Sequence, residues 1–494
     1  MAPSTLFLLL SLLFIQSSGD LQQHSEEGHI SVVISDKGLD FAKDVLIDKA
    51  IASIVMSQLP EIEDSVQVPL VGKAQVVLSE ITIKDIQINS STVETGGDTG
   101  IVVAVSGATA NLTMNWRYSV SSWLVPIGVS DSGTATVKVK DLQVGLTVDL
   151  RNQGGTFELI LLDYECNVGE ISIKLNGGAA WLYQVLVDAF DGNIASSVED
   201  AISTKISEGI STLDSLLQSL PKTISIDQTA VLNVSFVDNP VLSNSSIEVE
   251  INGLFIGTNK ALVPRSSLAG LETSNSCEGS PKMIKISIHE DVFKSASSVY
   301  FDADTMNWIL DELPDQNLLN TAEWRFIVPQ LFKQYPNDDM NLNISVSSTP
   351  VIQVTNQDIE ATITLDIIIN VLESGQVIPV ACISVDISAS FDAEIKGNNI
   401  TGKLKLIKFS TSLKWSKIGK LHMQLIQSMA STVLKTVIIP YINSQLKRGI
   451  ALPILDGFAV KNAQIAYARP WIEVCSDVSF SGDSYLRLLP ASVS

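Results

Sequence analysis

The sequence predicts an α+β fold made of two copies of one unit, in which a curved antiparallel sheet pairs with amphipathic helices. The same order of elements occurs within residues 30–220 and again within residues 283–450: a short strand, a helix, several strands and a long apolar-faced helix. Apolar and polar residues alternate between the helices, and turn clusters separate these stretches, which favours antiparallel hairpins. A unit of this kind is suited to enclosing something apolar.

Each copy opens with a strand that leads into a helix. In the first copy, Ile30–Ile34 precedes Ser35 and Asp36, both typical N-cap residues. Apolar residues then follow at helical spacing: Leu39, Ala42, Val45, Leu46, Ala50, Ile54 and Val55. In the second copy, an alternating strand ends at His289, and an apolar face continues through Val292, Phe293, Ala296, Val299, Tyr300 and Ala303.

Each copy closes with a long helix, over residues 198–217 in the first and 421–441 in the second. We expect Pro440 to kink the second helix, because proline cannot donate the main-chain hydrogen bond. In the first copy, the alternation of apolar residues changes phase across Lys140 and Asp141, which predicts a β-bulge in one long strand.

The chain organisation is that of a secreted two-domain protein. Residues 1–19 have the pattern of a secretory signal peptide, and 494 residues favour two domains. We place the N-terminal domain at 20–256, a linker at 257–282 and the C-terminal domain at 283–494. No later segment approaches the roughly 18 uninterrupted apolar residues of a membrane span. We therefore expect a soluble, extracellular monomer with N-glycosylation sequons at Asn89, Asn111, Asn233, Asn244, Asn343 and Asn399.

The side chains argue against catalysis, metal binding and nucleic-acid binding. The chain has four histidines and no recognisable nucleophile, phosphate or dinucleotide motif, so we expect no enzyme activity and no cofactor. Its four cysteines lack a CxxC pair, which disfavours a zinc site and leaves the pairing open. Residues 1–255 hold 12 Lys and Arg against 31 Asp and Glu, and this half would repel nucleic acid.

A basic stretch interrupts the acidic pattern in the second copy. Lys403, Lys405 and Lys408 are predicted to point outward from a strand, with Leu404, Leu406 and Phe409 pointing inward. Two interpretations stay open: a solvated face, or a surface for anions or membranes.

Four short motifs share a resemblance. Ile34–Ala42 is similar to a helix-opening motif, Ile-Ser-x-Lys-Gly-Leu-x-Tyr-Ala, and Met114–Tyr118 to a tip strand. Cys166 with Trp181 resembles a closing segment, and Ser280–Met283 a lead into a second barrel. Together they resemble the bactericidal/permeability-increasing protein and lipopolysaccharide-binding protein family, most closely its plant branch, over nearly the whole chain.

This resemblance implies two tandem tubular lipid-binding barrels in a boomerang with a shared central sheet, each with an apolar tunnel of phospholipid size. Members bind lipopolysaccharide or other microbial lipids in innate immunity, and relatives carry phospholipids and cholesteryl esters. The family's disulfide from Cys166 has no partner near Ile202 in this chain. The tip carries one arginine in place of several lysines. Trp116, Arg117, Tyr118 and Trp123 there either insert into a lipid interface or cap the barrel end.

The leading hypothesis is a lipid-binding protein that holds acyl chains and recognises lipopolysaccharide, with possible peripheral membrane contact. One alternative is a carrier of endogenous phospholipid or sterol, which the acidic N-terminal half favours. The other is an adhesion or receptor-partner module. Candidate pocket-lining residues, for which plain core packing is the alternative, are Leu39, Ala42, Leu46, Ile202, Ile206, Ile210, Phe293, Ala296, Met429 and Val433.

Overall fold

A computed structural model describes residues 28–68, 72–96, 99–122, 125–176, 183–258, 281–312, 319–448, 450–451 and 458–481. The predicted signal peptide and most of the predicted linker lie outside these ranges. So do Trp123, Trp181 and Cys277, and the side chains of Met429 and Val433.

The N-terminal barrel is one long sheet with two helices. Its elements are β1 Ile30–Ser35, α1 Asp36–Ile54, β2 Ile62–Val68, β3 Gly72–Gln87, β4 Ser90–Gly96, β5 Gly100–Ser122, β6 Val125–Gln153, β7 Thr156–Asn167, β8 Glu170–Asn176 and α2 Tyr183–Gln218. The sheet runs β2-β3-β5-β6-β7, with β4 also on β5 and β8 also on β6. Every pairing is antiparallel, as predicted.

Short strands follow α2. They are β9 Thr223–Ser225, β10 Ala230–Asn233, β11 Val241–Ser243, β12 Ser246–Ile251 and β13 Phe255–Gly257. A six-stranded sheet of order β11-β12-β1-β14-β23-β22 contains β1 next to β14, Ile284–His289. The strands that open the two sequence copies are therefore neighbours in one shared central sheet, as the resemblance implied.

The C-terminal barrel repeats the arrangement. Its elements are α3 Glu290–Asp302, β15 Asn307–Leu310, α4 Pro329–Gln334, β16 Asp339–Val346, β17 Val351–Val354, β18 Ile359–Glu373, β19 Gln376–Lys396, β20 Asn399–Ser416, α5 Met423–Val433, α6 Ile439–Arg448, β21 Ile450–Ala451, β22 Phe458–Ala468 and β23 Trp471–Phe480. The sheet runs β15-β16-β18-β19-β20-β21, with β17 on β18.

Contacts divide the chain into two units. One consists of Ile34–Leu220 with Asp238–Val249, and the other of Met1–Val33, Pro221–Val237 and Glu250–Ser494. This division differs from the predicted boundary at residue 256, because short strands after α2 bond to the second copy. The hydroxyl of Tyr300 in α3 donates to Asp227 Oδ2 at 2.9 Å, and Ser295 Oγ accepts from Phe255 N at 3.0 Å.

The local structures that the sequence predicts are present. Ser35 caps α1, since its Oγ accepts from the Gly38 amide at 3.4 Å. The phase change in β6 is a bulge: Asp141 has φ 54°, and the pairing with β5 shifts in register between Ala108 and Ala110. Two of the predicted turn clusters close the β6–β7 and β19–β20 hairpins.

The long helix of the second copy is interrupted before its proline. A π turn, Leu434–Ile438, joins α5 to α6 immediately ahead of Pro440. A wide turn of this kind accommodates a residue that cannot donate to the helical ladder. Within the described ranges, Met423–Arg448 is the one helix long and apolar enough to cross a membrane by length and composition.

Two buried histidines pack together in the central sheet. The rings of His29 and His289 are 6.1 Å apart, and His289 lies 4.7 Å from the ring of Trp471. His289 is also the N-cap of α3, because its Nδ1 accepts from the Asp291 amide at 3.2 Å. Burial lowers the pKa of His289, against the opposing pull of the Asp291 carboxylate. Both histidines are almost fully buried, and His289 alone caps a helix.

We expect the free energy of unfolding to fall as the pH drops below about 6.5, the unfolded pKa, because the folded state holds His289 neutral. Replacing His289 with asparagine keeps an N-cap acceptor and removes the titration. The measurement is urea unfolding at about pH 7.5 and about pH 5. His289→Asn should lose less stability between these values than the wild type. Equal losses for wild type, His289→Asn and the exposed control His422→Asn would contradict the assignment.

Candidate functional site

One half of the N-terminal barrel is a solid core. Side chains from β3, β5, β6 and the first half of α2 pack there with almost no exposure, among them Val76, Leu112, Val137, Ile194 and Val198. A small apolar pocket with a cavity volume of about 20 Å³ opens into this region. It is lined by Val76, Leu78, Met114, Trp116, Ile173, Leu175 and Phe190. Pockets for drug-sized ligands begin at about 300 Å³, so this one is too small for a two-chain lipid.

In the other half of the same barrel the apolar side chains are less completely buried. We call it the open half, defined by the second half of α2 from Ile206 onward, the start of β5, the end of β6 and the start of β7. Its apolar side chains are only half-buried: Ile101, Val102, Val103, Leu146, Leu159, Leu161, Ile206, Ile210, Leu213 and Leu217. Apolar surface left in this state gains free energy when a further apolar group covers it.

The C-terminal barrel has the same two halves. A packed core joins α4, the start of α5 and the hairpin end of β18 and β19, with Leu331, Val371, Val380 and Ile426 almost fully buried. Its open half lies at the β19–β20 hairpin and α6. There the apolar side chains are again half-buried: Ile395, Leu404, Leu406, Leu434, Ile442 and Leu446.

Polar side chains fix each long helix to the last long strand of its sheet. In the N-terminal barrel, Asp214 Oδ1 accepts from the Leu159 amide of β7 at 2.8 Å. In the C-terminal barrel, the side-chain amide of Asn443 makes two hydrogen bonds to the main chain of Leu404 in β20. Asn443 Oδ1 accepts from the Leu404 N–H at 2.8 Å, and Asn443 Nδ2 donates to the Leu404 carbonyl at 3.0 Å. The helices thus satisfy main-chain groups on the free edges of the strands.

The predicted pocket residues fall into three groups. Leu39 and Ile202 are buried, whereas Ile206, Ile210, Phe293 and Ala296 are half-buried. Ala42 is exposed, and 45% of Leu46 is exposed. The packed face of α1 instead includes Lys43, whose Nζ donates to the Ser91 carbonyl of β4 at 3.1 Å and to Asp40 at 3.2 Å. Ile206, which packs against the edge of the core, and Ile210 are therefore the predicted residues on the half-buried part of α2.

Two of the tip aromatics, Trp116 and Tyr118, are buried. Trp116 and Tyr118 are 2% and 4% exposed, and their rings stack in parallel at 6.0 Å. The Trp116 indole N–H donates to the Thr134 carbonyl at 3.1 Å. These two rings are therefore packed inside the barrel and not exposed at its surface. Arg117 is exposed.

The cysteines form no reactive site among the described residues. Cys475 is disulfide-bonded, whereas Cys166 and Cys382 are free thiols. Burial raises the pKa of Cys166 to about 11, which leaves it protonated near neutral pH. The family's bridge from Cys166 is therefore absent, as the sequence predicted. No group of three His, Cys, Asp or Glu that could hold a metal ion occurs in the ranges described.

The basic residues lie where the strand pattern placed them. Lys403, Lys405 and Lys408 are exposed on β20, and the intervening apolar side chains Leu404, Leu406 and Phe409 are half-buried. Sequence reasoning missed the two helix-to-strand anchors. The one available signal was a single amide, Asn443, within the apolar run of α6.

Comparisons with known proteins agree along the whole chain. The N-terminal domain model of the LBP / BPI / CETP family matches residues 38–219, and the C-terminal model matches residues 224–480. A putative BPI/LBP family protein of Arabidopsis thaliana is 47% identical over 479 residues, which is 97% of each chain. Lipopolysaccharide-binding protein of Homo sapiens is 25% identical and covers 85% of this chain and 87% of its own. A crystal structure of lipopolysaccharide binding protein superposes with a TM-score of 0.59 at 20% identity, over 92% of this chain and 99% of that one.

Removing the Asn443 anchor should destabilise the C-terminal barrel. Asn443→Leu leaves the Leu404 N–H and C=O without their partner, at an expected cost of about 1–3 kcal/mol. Asn443→Asp keeps the acceptor and should cost less. Urea unfolding measures both, with Ser444→Ala on the exposed side of the same helix as the control. A loss for Asn443→Leu no larger than for Ser444→Ala would contradict the anchoring role.

The sequon asparagines differ in solvent exposure, and we expect the more exposed ones to be glycosylated. Asn89, Asn244 and Asn343 are exposed, whereas Asn111, Asn233 and Asn399 are half-buried. We expect glycans on the first three in protein expressed through a secretory pathway. Site-specific mass spectrometry before and after enzymatic deglycosylation measures this. Full occupancy of the half-buried set with empty exposed sites would be the opposite result.

Proposed function

The chain belongs to the LBP / BPI / CETP family, and from this premise we propose that it is a secreted, non-enzymatic protein that holds lipid acyl chains in both barrels. The proposed site in each barrel is the open half beneath the long helix. Lipopolysaccharide is the leading ligand, because relatives across the length of the chain are named lipopolysaccharide-binding proteins. A role in innate immunity would follow from that ligand.

The observation that carries the proposal is the contrast between the two halves of each barrel. Residues of one long helix, α2, change from almost fully buried at Ile194 and Val198 to half-buried at Ile206 and Ile210. A helix whose only task was to complete a core would be buried along its apolar face throughout. Each methylene of an acyl chain that covers this surface would contribute roughly 0.8 kcal/mol.

The small pocket does not by itself supply the required volume. With a cavity volume of about 20 Å³ it lies within the packed half, and neither Ile206 nor Ile210 lines it. Acyl chains would therefore occupy the open half, between α2 and the starts of β5 and β7. This requires the helix to stay attached to the sheet edge while its apolar face is covered by lipid, and the Asp214 bond to Leu159 supports that arrangement.

A carrier of endogenous phospholipid or sterol is the second candidate. Residues 1–255 are strongly acidic, and polyanionic lipopolysaccharide would be repelled there. The tip offers Arg117 without the cluster of lysines that phosphate capture would need. A neutral or zwitterionic headgroup meets neither obstacle.

An adhesion or receptor-partner role is the third candidate, and it predicts that the barrel interiors bind no lipid. In that case the barrels are scaffolds, their open halves bind nothing, and no lipid is extracted from the purified protein. Native mass spectrometry of secreted protein, followed by organic extraction, separates this candidate from the first two.

The lipid-holding proposal is tested on α2. Ile206→Gln with Ile210→Gln places two amides on the proposed acyl surface, and each should cost about 1–3 kcal/mol when covered by lipid. We expect at least about tenfold weaker uptake of a fluorescent fatty acyl probe and less co-purified lipid. The matched control is Ser207→Gln with Ser211→Gln, on the exposed side of the same helix.

Equal probe uptake by wild type, test variant and control would contradict the assigned site, provided that circular dichroism shows all three folded. Displacement of the bound probe then separates the ligands. Stronger displacement by lipopolysaccharide supports the first candidate, and stronger displacement by phosphatidylcholine or a sterol supports the carrier.

A further inference from the structure

One segment of this acidic protein contains no acidic residue. The chain has 54 Asp and Glu against 32 Lys and Arg, yet residues 395–455 contain ten Lys and Arg and no Asp or Glu. This segment forms β20, α5 and α6 in the C-terminal barrel. A stretch of this length without a carboxylate presents cations that nothing in the segment itself neutralises.

The Asn443 anchor brings two basic groups of this segment together. On β20, Lys403 and Lys405 flank Leu404, the residue that Asn443 holds at 2.8 Å and 3.0 Å. On α6, Lys447 lies one turn after Asn443, and Arg448 follows it. We call Lys403, Lys405, Lys408, Lys447 and Arg448 the basic edge; all five are exposed.

Most of the basic edge lacks a counter-charge. Asp392 of β19 lies 3.6 Å from Lys405 Nζ, and both side chains are about half exposed. Lys403, Lys408, Lys447 and Arg448 have no ion-pair partner in the portion of the chain that is described. An exposed pair such as Lys405 with Asp392 is weak and leaves most of the positive potential in place.

Apolar side chains are exposed within the basic edge. Ile407 is 54% exposed on β20, where a register shift against β19 between Ser388 and Ala389 turns it and Lys408 both outward. Tyr441 is 63% exposed on α6, two residues before Asn443. Cations interspersed with an amphipathic ring and an aliphatic side chain are typical of surfaces that lie in the headgroup region of a bilayer.

We propose that the basic edge docks the C-terminal barrel onto the surface of an anionic phospholipid bilayer. Its cations attract the phosphate headgroups, and Ile407 and Tyr441 enter the interface. Charge complementarity selects this partner, since the remainder of the protein is strongly acidic and would be repelled. The docking is independent of whether lipid is held inside either barrel.

The placement of α6 on the membrane follows from the position of the basic edge. The α6 helix would then lie beside the membrane surface, and the open half of the C-terminal barrel beneath α6 would be near the bilayer.

The test is sedimentation with vesicles of phosphatidylcholine alone or mixed with phosphatidylglycerol, at low and high salt. Wild type should bind the mixed vesicles, bind them less at high salt, and bind phosphatidylcholine vesicles weakly. Lys403→Gln with Lys405→Gln and Lys408→Gln should weaken binding about 100-fold, a factor of about five for each charge. The matched control changes the same net charge at exposed lysines of the N-terminal barrel: Lys84→Gln, Lys138→Gln and Lys174→Gln.

The apolar contribution has its own variant. Ile407→Thr with Tyr441→Gln should reduce binding about tenfold without changing its dependence on salt, because it removes no charge. Val241→Thr, an exposed apolar residue of β11, is the control for this substitution.

Three results would overturn the proposal. One is that the triple lysine variant binds mixed vesicles as strongly as wild type while circular dichroism shows that it is folded. If the triple variant does not fold, the single Lys408→Gln variant replaces it and must weaken binding about fivefold. Another is that the control variant with three lysine substitutions in the N-terminal barrel weakens vesicle binding as much as the triple variant of the basic edge. The third is binding of a soluble polyphosphate or duplex DNA as strongly as the mixed vesicles, which would assign the edge to soluble anions. The amount of lipid extracted from the triple variant should match wild type, and this separates failure here from failure of the lipid-holding proposal.

Discussion

The structure depends on how two curved sheets that do not close satisfy their free edges. The last long strand of each sheet, β7 or β20, has main-chain groups with no neighbouring strand, and unpaired groups of this kind are costly when water is excluded. A long helix lies along each edge and supplies side-chain partners: Asp214 to Leu159 in one barrel, Asn443 to Leu404 in the other. Each tube is therefore closed by a helix and a few polar side chains, not by strand pairing.

Because each tube is closed in this way, the attachment of the long helix does not depend on how completely its apolar face is packed. Because the helix is held by polar anchors at the sheet edge, its apolar face need not be buried completely to keep it in place. The first half of α2 packs into a dense core, and the second half leaves Ile206 and Ile210 half-buried. The C-terminal barrel has the same contrast between Ile426 in α5 and Ile442 in α6. Stability and ligand capacity thus reside in different halves of the same barrel.

Charge divides the molecule along another line. The N-terminal half is acidic, whereas the segment that forms β20, α5 and α6 has basic residues and no acidic ones. The residue that anchors α6, Asn443, is also the one that places Lys447 and Arg448 beside the lysines of β20. In the C-terminal barrel, the hydrogen bonds between Asn443 and Leu404 therefore both attach α6 to the free strand and assemble the basic edge. That link connects the proposed interior site to the proposed membrane contact through the same helix.

The sequence by itself determined what depends on neighbours in the chain. The cap at Ser35, the bulge at Asp141, the antiparallel hairpins and the outward lysines of β20 all follow from local backbone preferences and from periods of two and 3.6 residues. Tertiary structure decided which apolar residues are covered, because periodicity identifies a face without saying what packs on it. Leu46 is exposed while Lys43 on the same helix is buried, and Trp116 at the supposed tip is inside the core. His29, Asp214 and Asn443 acquire their roles from partners in distant parts of the chain, which no local pattern records.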